Sequence, residues 1–271
     1  MDPIDQFNDE RRKNITEQAN NPNLQELSLS LLRESSKSNY SYNFDWLSRP
    51  IIQNPEDIVT FQEIVWNVKP DLIIETGIAH GGSLILSASL LALLDLFEYG
   101  QCNLEPKLQK PRCVVGIDID IRPHNRKLLE KHPLYPRLRL IEGSSIDQSV
   151  IGQVKYLAQN FKKILVCLDS NHTYQHVLAE LNAYAPLTSL GSYCIVYDTV
   201  IEDMPTEMFV DREWQPGNSP KTAVDDYLKQ LGETNQVFGV DGLPLNFVSD
   251  RHLQNKLVFT AIKSGFLKRV N

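Results

Sequence analysis

The sequence lacks several patterns that would assign it to a structural class at once. Its 271 residues include only four cysteines, and no two of them form a C-x-x-C pair. A disulfide framework or a cysteine zinc site is therefore not expected, and the cysteines are interpreted as buried, reduced thiols. No apolar run approaches the roughly 18 residues of a membrane span, and no basic segment followed by an apolar core begins the chain. We expect a cytoplasmic protein with no membrane partner.

An excess of positive charge is also lacking. The chain carries 27 lysine and arginine residues against 34 aspartate and glutamate residues, which gives a formal net charge of −7. Because nucleic-acid phosphates favour a basic protein face, no nucleic-acid partner is expected. The hydrophobic fraction of 42% and the charged fraction of 23% are typical of a soluble enzyme.

Strands and helices alternate along most of the chain, which predicts an α/β fold with a mostly parallel sheet covered on both faces. We expect residues 1–45 to form an N-terminal extension, loosely attached and with a peripheral helix, and residues 46–271 to form one domain. The predicted strands cover residues 71–75, 113–117, 138–141, 163–168, 191–197, 236–240 and 256–262.

The first of these strands ends in an acidic residue and a glycine-bearing turn. This order of strand, turn and helix suits a nucleotide-type ligand, but the glycine spacing departs from the G-x-G-x-x-G of dinucleotide enzymes. A carboxylate at Glu75 suits a cation, such as the methionine ammonium of S-adenosylmethionine. We interpret the turn as a donor site; a plain strand–turn–helix junction is the alternative. The expected contacts are Glu75, Thr76, Gly77, His80, Gly81 and Ser83.

Acidic or polar residues also follow the next two strands. Open α/β sheets bind ligands at the carboxyl edge, where these side chains should converge. Asp118 is expected to accept hydrogen bonds from both ribose hydroxyls, with a helix N-cap as the alternative, and Asp120 is the better candidate for that cap. Ser144 and Ser145 are expected to reach the adenine edge, although turn chemistry explains them almost equally well.

Asp169 and Asp198 end neighbouring strands with no basic residue beside them in sequence. Two carboxylates brought together repel unless a cation neutralises them, and hard oxygen ligands suit Mg²⁺ or Ca²⁺. We therefore predict a divalent metal site to which Thr199 adds a hydroxyl or binds through water, with Asp169 also bordering the donor. The alternative is that one carboxylate caps a helix and the other pairs with Lys163 or Arg212.

His172 follows Asp169 by three residues, on the turn that leaves the strand. This spacing places an imidazole over the metal, where it can take a proton from a hydroxyl near neutral pH. We predict that His172 is the catalytic base, whereas His176 should face the helix exterior or pack. The polar loop 211–221, with Asn218 and Ser219, is a candidate lid.

Four segments together resemble the cephalosporin hydroxylase and rhamnosyl O-methyltransferase family and, more distantly, metal-dependent catechol-type O-methyltransferases. They are residues 75–83, 116–120, 168–172 and 196–199, and the similarity runs from about residue 42 to residue 262. The resemblance implies a Rossmann-like class I methyltransferase fold, S-adenosylmethionine, Mg²⁺ and a homo-oligomer. Catechol-type enzymes have a lysine base where this chain has His172. Some relatives carry Glu-Asp where this chain has Tyr197-Asp198, which implies one metal carboxylate fewer.

The predicted function is Mg²⁺-dependent O-methylation of a hydroxyl on a small molecule, a sugar-type or polyketide-type natural-product intermediate. Two rivals stay open. The first is an oxidoreductase, suggested by the hydroxylase name of some relatives, although no 2-His-1-carboxylate spacing or dinucleotide fingerprint supports it. The second is a non-catalytic protein that binds the donor and acts with a partner protein.

Overall fold

The computed structural model describes residues 2–102, 111–234 and 237–270, without the side chains of residues 99–102 and 234. Two short strands form a separate antiparallel pair, and seven further strands form one sheet. The strands are β1 Phe44–Trp46, β2 Arg49–Ile51, β3 Leu72–Thr76, β4 Cys113–Asp118, β5 Leu138–Glu142, β6 Ile164–Leu168, β7 Tyr193–Val196, β8 Phe247–Ser249 and β9 Phe266–Arg269.

The seven strands lie in the order β5-β4-β3-β6-β7-β9-β8. The first five are parallel to one another, and β9 runs antiparallel to both β7 and β8. The prediction of a mostly parallel, seven-stranded sheet is therefore confirmed, and the five predicted parallel strands are all present.

The last two strands lie later or elsewhere than predicted. Residues 257–262 are irregular, because the backbone N–H of Ala261 bonds to the Asp57 carboxylate rather than to a neighbouring strand. The predicted strand at 236–240 begins outside the described residues, and its described part makes only an isolated bridge between Phe238 and Pro244. The antiparallel edge is formed instead by β8 and β9.

Nine α-helices are present in the described residues, five of which begin with proline, whose missing N–H costs no hydrogen bond at the first helical position. Asp120 is not the cap of a helix, because Arg122 occupies the position before the helix that starts at Pro123. No described helix combines the length and apolar character that a membrane crossing demands. The helices are α1 Pro3–Ala19, α2 Pro22–Ser36, α3 Pro55–Val68, α4 Gly82–Cys102, α5 Pro123–Glu130, α6 Gln148–Ala158, α7 Tyr174–Tyr184, α8 Pro220–Thr234 and α9 Arg251–Lys256.

Helices cover both faces of the sheet, as predicted. Successive side chains of a strand point to opposite faces, so β3 contributes to two separate cores. Ile73 belongs to the core formed with α3 and α4, whereas Leu72 and Ile74 belong to the core formed with α6, α7 and α8. Every residue of β3 is buried, which is why its sequence is almost continuously apolar.

The functional edge of the sheet is set by the position of β3. From β3 the chain moves outward through β4 and β5 and then returns to place β6 on the other side of β3. The loops after β3 and β6 therefore diverge and leave a crevice at the carboxyl ends of the strands. The two strands stay joined up to this point, because the N–H of Asp169 donates to the carbonyl of Thr76 at 3.0 Å.

The N-terminal extension is packed on the domain rather than loosely attached. It contains two helices, and the Gln18 amide donates to the carbonyls of Asn255 and Lys256, each at 3.0 Å. The Ser28 hydroxyl donates to the carbonyl of Val258. Leu32 on α2 is buried in a small core that includes residues 200, 204 and 259.

Candidate active site

A cavity of about 690 Å³ opens at the carboxyl edge of the sheet, a volume within the usual range for small-molecule sites. Its wall combines the loops that follow β3, β4, β5, β6 and β7 with the segment before α3. The sequence-predicted residues that line it are Gly77, His80, Ser83, Asp118, Ser144, Ser145, Asp169, His172 and Asp198.

The glycine turn after β3 is shaped by close backbone packing. Gly77 has a φ of +86°, and a Cβ at this position would lie 1.9 Å from the carbonyl oxygen of Asp169. The turn is also held by Asp118, whose Oδ2 accepts hydrogen bonds from the backbone N–H groups of Ile78 at 2.8 Å and Ala79 at 3.2 Å. Asp118 therefore shapes the donor turn, and its carboxylate borders the cavity.

Three of the predicted donor contacts lie behind the cavity wall. The hydroxyl of Thr76 is fully buried and accepts a hydrogen bond from the N–H of Asp169 at 3.3 Å. Gly81 packs on Leu129, where a Cβ would meet the leucine side chain. These two residues support the site without lining it, because the strand and the end of α5 fill the space beside them.

Glu75 also lies behind the wall, with only 3% of its surface exposed. Its carboxylate accepts hydrogen bonds from the hydroxyls of Ser83 and Ser87, of which Ser83 lines the cavity. Burial raises the pKa of Glu75 to about 7, and the two hydroxyls offset this only in part. A cation that binds the Ser83 hydroxyl would therefore lie close to the Glu75 carboxyl group, with the hydroxyl between them.

Asp169, His172 and Asp198 form a compact cluster at the floor of the cavity. One ligand atom of each residue lies within 4.8 Å of the others. The Nε2 atom of His172 is 3.1 Å from Oδ2 of Asp198. Asp198 adopts the left-handed conformation, with φ of +54°, which is uncommon for a residue other than glycine and marks a constrained turn.

The charges around this cluster favour a cation. Burial is the largest of the effects that raise the pKa of Asp169 well above its usual value. The nearby carboxylates of Asp198, Glu75 and Glu180 raise it further. A divalent ion would stabilise the ionised form of Asp169. The available donors are carboxylate oxygens with one imidazole, and oxygen-rich sets suit hard cations such as Mg²⁺.

Thr199, which was expected to add a hydroxyl to the metal, does not line the cavity. Its side chain is fully buried, and its hydroxyl points toward the carbonyl of Ala261 at 3.5 Å. The left-handed turn at Asp198 directs the next residue into the protein. Tyr197 lines the cavity, and burial raises the pKa of its phenol well above the usual value, so it stays protonated and adds no negative charge to the site.

Asp57 is a cavity residue that the sequence did not reveal as functional. It is 2% exposed, and its carboxylate accepts hydrogen bonds from the Thr260 hydroxyl and, at 3.0 Å, from the N–H of Ala261. Burial raises its pKa to about 7. In sequence Asp57 looks like an ordinary acid in the first turn of α3, because its partners lie about 200 residues away.

A second unexpected group lies beside the predicted adenine contacts. His176 lines the cavity, and its Nε2 atom is 3.0 Å from the Ser145 hydroxyl and 3.5 Å from Oε1 of Glu180. The fully buried Glu180 also accepts a hydrogen bond from the Ser170 hydroxyl at 2.6 Å. Of the two expectations for His176, an exterior position or packing, the structure shows packing, because the turn of α7 that carries it faces the loop after β5.

Trp214 is the third cavity residue that sequence reasoning missed. It lies in the predicted lid loop, and its ring contacts that of His172 edge to face, with centroids 4.9 Å apart. A tryptophan in a polar loop is a signal from which the sequence could have indicated a binding residue, because a large aromatic side chain has no hydrophobic core to pack against in such a loop. Asn218 and Ser219, the expected lid residues, anchor this loop to Tyr174 and Glu202 respectively.

The comparisons with known proteins agree with this geometry. A profile of the family described as Rhamnosyl O-methyltransferase/CmcI matches residues 38–270. The Rhamnosyl O-methyltransferase of Mycobacterium tuberculosis (strain ATCC 25618 / H37Rv) is 29% identical over 215 residues, which are 79% of this chain and 73% of that protein. The protein of the same name from Mycobacterium leprae (strain TN) is 26% identical over 225 residues, 83% of this chain and 82% of that protein.

Solved structures show the same fold. The structure described as "CmcI-N160 apo-structure" matches with a TM-score of 0.50 and 17% sequence identity, covering 85% of this chain and 77% of that chain. The predicted class I methyltransferase-like fold is thus confirmed. Since the family profile spans most of the sequence, this chain belongs to the rhamnosyl O-methyltransferase/CmcI family.

Proposed function

We propose that this chain transfers the methyl group of S-adenosylmethionine to a hydroxyl of a sugar-bearing small molecule, a natural-product intermediate, with the help of Mg²⁺. The observation that carries the proposal is the cavity itself. One continuous wall joins the turn after β3, Asp118 and the Ser144–Ser145 pair to the cluster of Asp169, His172 and Asp198. A methyl donor and an acceptor hydroxyl need such adjacent subsites to react in line.

The donor is proposed to extend from the start of α4 to the loop after β5. The first N–H groups of α4 are unpaired at the helix N-terminus and suit the methionine carboxylate. The Ser83 hydroxyl, which donates to Glu75, keeps lone pairs for the methionine ammonium. Asp118 is proposed to bind the ribose hydroxyls, and Ser145 the adenine.

Asp169 and Asp198 are proposed to hold the cation. When bound, Mg²⁺ supplies positive charge that lowers the pKa of a nearby acceptor hydroxyl. Nε2 of His172 faces the Asp198 carboxylate at 3.1 Å, so it carries the hydrogen of the neutral imidazole, and His172 takes the proton of the acceptor hydroxyl at Nδ1. Asp198 then stabilises the resulting imidazolium. The backbone of Asp169 packs against Gly77 and keeps the donor side of the cavity floor rigid. The methyl carbon of the donor and the oxygen of the acceptor are thereby held close together.

The proposal that the acceptor is a sugar rests on the names of the related proteins. The two Mycobacterium relatives are named for methylation of a rhamnosyl group. The chain also covers 73% and 82% of their respective lengths, and the match includes all residues of the site from Asp57 to Asp198 within the family profile. We further propose that residues 46–271 form the catalytic domain and residues 1–45 an extension packed against it.

A methyl-transfer assay tests the proposal. The protein is incubated with S-adenosylmethionine carrying a deuterated methyl group, Mg²⁺ and p-nitrophenyl α-L-rhamnopyranoside, and products are measured by mass spectrometry. We expect transfer of the labelled methyl group by the wild type. Asp169→Asn should abolish transfer, whereas Asp225→Asn, a surface carboxylate paired with Lys221, should not change it. Oxidised acceptor without a methyl group would contradict the proposal.

A further inference from the structure

Part of the cavity wall has no role in the proposed donor and metal sites. Besides those sites, the cavity is lined by Ser41, Tyr42, Gln53 and Trp214. The first three belong to the segment around β1 and β2, and Trp214 belongs to the loop before α8. These residues are available for the acceptor.

Trp214 lies beside the atom that would receive the proton. Its ring centroid is 4.9 Å from that of His172, and the two rings are nearly perpendicular at 88°. A general base works only within hydrogen-bond reach of the hydroxyl that it deprotonates. An acceptor ring whose hydroxyl reaches the imidazole of His172 therefore comes into contact with the indole.

The loop that carries Trp214 is fixed in place. Glu202 accepts hydrogen bonds from the Gly217 N–H at 3.0 Å and from the Ser219 hydroxyl at 2.6 Å. Oδ1 of Asn218 accepts a hydrogen bond from the N–H of Tyr174 at 3.0 Å, which ties the loop to the start of α7. The indole is thus a preformed wall whose position relative to His172 is set by α7.

The chemistry of these residues suits a pyranose ring. One face of such a sugar presents mainly C–H groups, which pack on an aromatic ring, while its hydroxyls lie at the edge. Tyr42, 55% exposed, supplies a second aromatic ring at the cavity. Gln53 is 7% exposed and its Oε1 atom has no hydrogen-bond partner, so a sugar hydroxyl can satisfy it.

We propose that Trp214 is the acceptor platform: the C–H face of a pyranose lies on its indole, and this contact places the hydroxyl to be methylated at His172. The inference rests on the proposed function, because it takes a sugar hydroxyl as the methyl acceptor. It assigns the loop before α8, rather than the donor residues, as the part of the chain that selects the acceptor.

Kinetics of three variants test this assignment with p-nitrophenyl α-L-rhamnopyranoside as the acceptor. Trp214→Leu should raise the acceptor KM by about tenfold or more, whereas Trp214→Phe, which keeps an aromatic face, should stay within about threefold of the wild type. The dissociation constant of S-adenosylhomocysteine should be unchanged in both. The matched control is Trp66→Leu, a partly exposed tryptophan on α3 that lies outside the cavity.

The outcomes separate the inference from the function on which it rests. Methyl transfer by the wild type with an unchanged acceptor KM in Trp214→Leu would overturn the platform and leave the proposed function standing. A parallel loss of S-adenosylhomocysteine binding would show a merely structural role for Trp214 and would also overturn it. If the wild type methylated no rhamnoside, the proposed sugar acceptor would fail, and the platform with it.

A second measurement covers the case in which Trp214→Leu does not fold. The chain has three tryptophans, so the double variant Trp46→Phe, Trp66→Phe retains Trp214 as its only one. Titration of this protein with methyl α-L-rhamnopyranoside, in the presence of S-adenosylhomocysteine and Mg²⁺, should change the Trp214 fluorescence with saturation. An emission spectrum that stays constant while calorimetry detects binding of the sugar would contradict the platform.

Discussion

At the residue scale, the central question is what His172 does. Its Nε2 atom faces Asp198 at 3.1 Å, and the imidazole stands close enough to both aspartates to be either a base or a third metal ligand. If His172 is the base, His172→Ala should lower kcat by about 100-fold or more. The dissociation constant for Mg²⁺, measured by calorimetry with S-adenosylhomocysteine present, should change by less than about threefold.

A ligand role predicts the opposite pattern for this variant. Loss of a metal ligand would weaken Mg²⁺ binding by tenfold or more, and activity would return at high metal concentration. His124→Ala is the matched control, because His124 is exposed on α5 and outside the cavity. Restored turnover of His172→Ala at saturating Mg²⁺ would disprove the base assignment.

Glu75 gives the folded protein a predictable pH dependence. Burial raises its pKa from 4.5 to about 7, so the folded state holds a proton that the unfolded chain releases above pH 4.5. This proton stabilises the folded state fully at low pH, and the contribution is lost as pH rises toward and through 7. Over that range the loss is about 3 kcal/mol in the free energy of unfolding.

Glu75→Gln should remove this pH-dependent loss in the free energy of unfolding. Urea unfolding of the ligand-free protein at pH 5 and pH 8 should show a smaller decrease in the free energy of unfolding for the variant than for the wild type. Glu233→Gln, an exposed carboxylate on α8, is the control and should follow the wild type. Identical decreases for Glu75→Gln and the wild type would show that this carboxyl group titrates normally.

The residues that sequence reasoning found are those that follow strands directly. Asp118, Asp169, His172 and Asp198 all border the cavity because the carboxyl ends of parallel strands share one edge. Asp57 escaped notice because its role depends on the Thr260 and Ala261 groups, which no local pattern connects to it. Local spacing also could not foresee that Glu75 and Thr199 point into the protein.

At the scale of elements, α7 connects the donor end of the cavity with the metal end. His176, on its first turn, contacts the Ser145 hydroxyl of the loop after β5, and Glu180, one turn later, contacts the Ser170 hydroxyl beside Asp169. One helix therefore holds two loops that come from different strands. We infer that changes on this face of α7 act on both the donor site and the metal site.

Ser145→Ala tests this role of the loop after β5. Loss of one hydrogen bond to the adenine should raise the dissociation constant of S-adenosylhomocysteine by about fivefold. His176→Phe should have a similar effect, because the hydroxyl then lacks its partner. Ser149→Ala, an exposed residue at the start of α6, is the matched control. Unchanged calorimetric affinity in Ser145→Ala would place the adenine elsewhere.

The elements themselves were largely predictable, and the exceptions share a cause. The central strands β3 and β6 are buried at every position and mostly apolar, so their burial is visible in the sequence. The segment 257–262 is equally apolar, yet it forms no strand, since α9 precedes it and its backbone bonds to Asp57. An apolar sequence indicates that a segment is buried. It does not indicate which groups form hydrogen bonds with the backbone of that segment.

At the scale of the whole molecule, the N-terminal helices expose an apolar face. Ile4 and Phe7 on α1 are 69% and 62% exposed, and Leu27 and Leu31 on α2 are 66% and 56% exposed. Each pair is spaced by three or four residues and so lies on one side of its helix, and exposed apolar side chains of this kind often mark a protein interface. We propose that this face contributes to a homo-oligomer, which agrees with the expectation drawn from the sequence.

Light scattering coupled to size exclusion tests the oligomer. The wild type should exceed the 30.9 kDa of one chain, and the double variant Leu27→Glu, Leu31→Glu should shift toward a single chain while keeping its helical content. Tyr156→Glu, another exposed position on α6, should leave the mass unchanged. A wild type that elutes with the mass of one chain would contradict the proposal.

The dependence of methyl transfer on free Mg²⁺ tests the whole account most directly. Initial rates of labelled methyl transfer from S-adenosylmethionine to p-nitrophenyl α-L-rhamnopyranoside are measured from EDTA-treated protein up to millimolar Mg²⁺. We predict no transfer without metal, saturation for the wild type, and a curve shifted to much higher Mg²⁺ or abolished for Asp198→Asn. Equal turnover of the wild type in EDTA and in Mg²⁺ would contradict it.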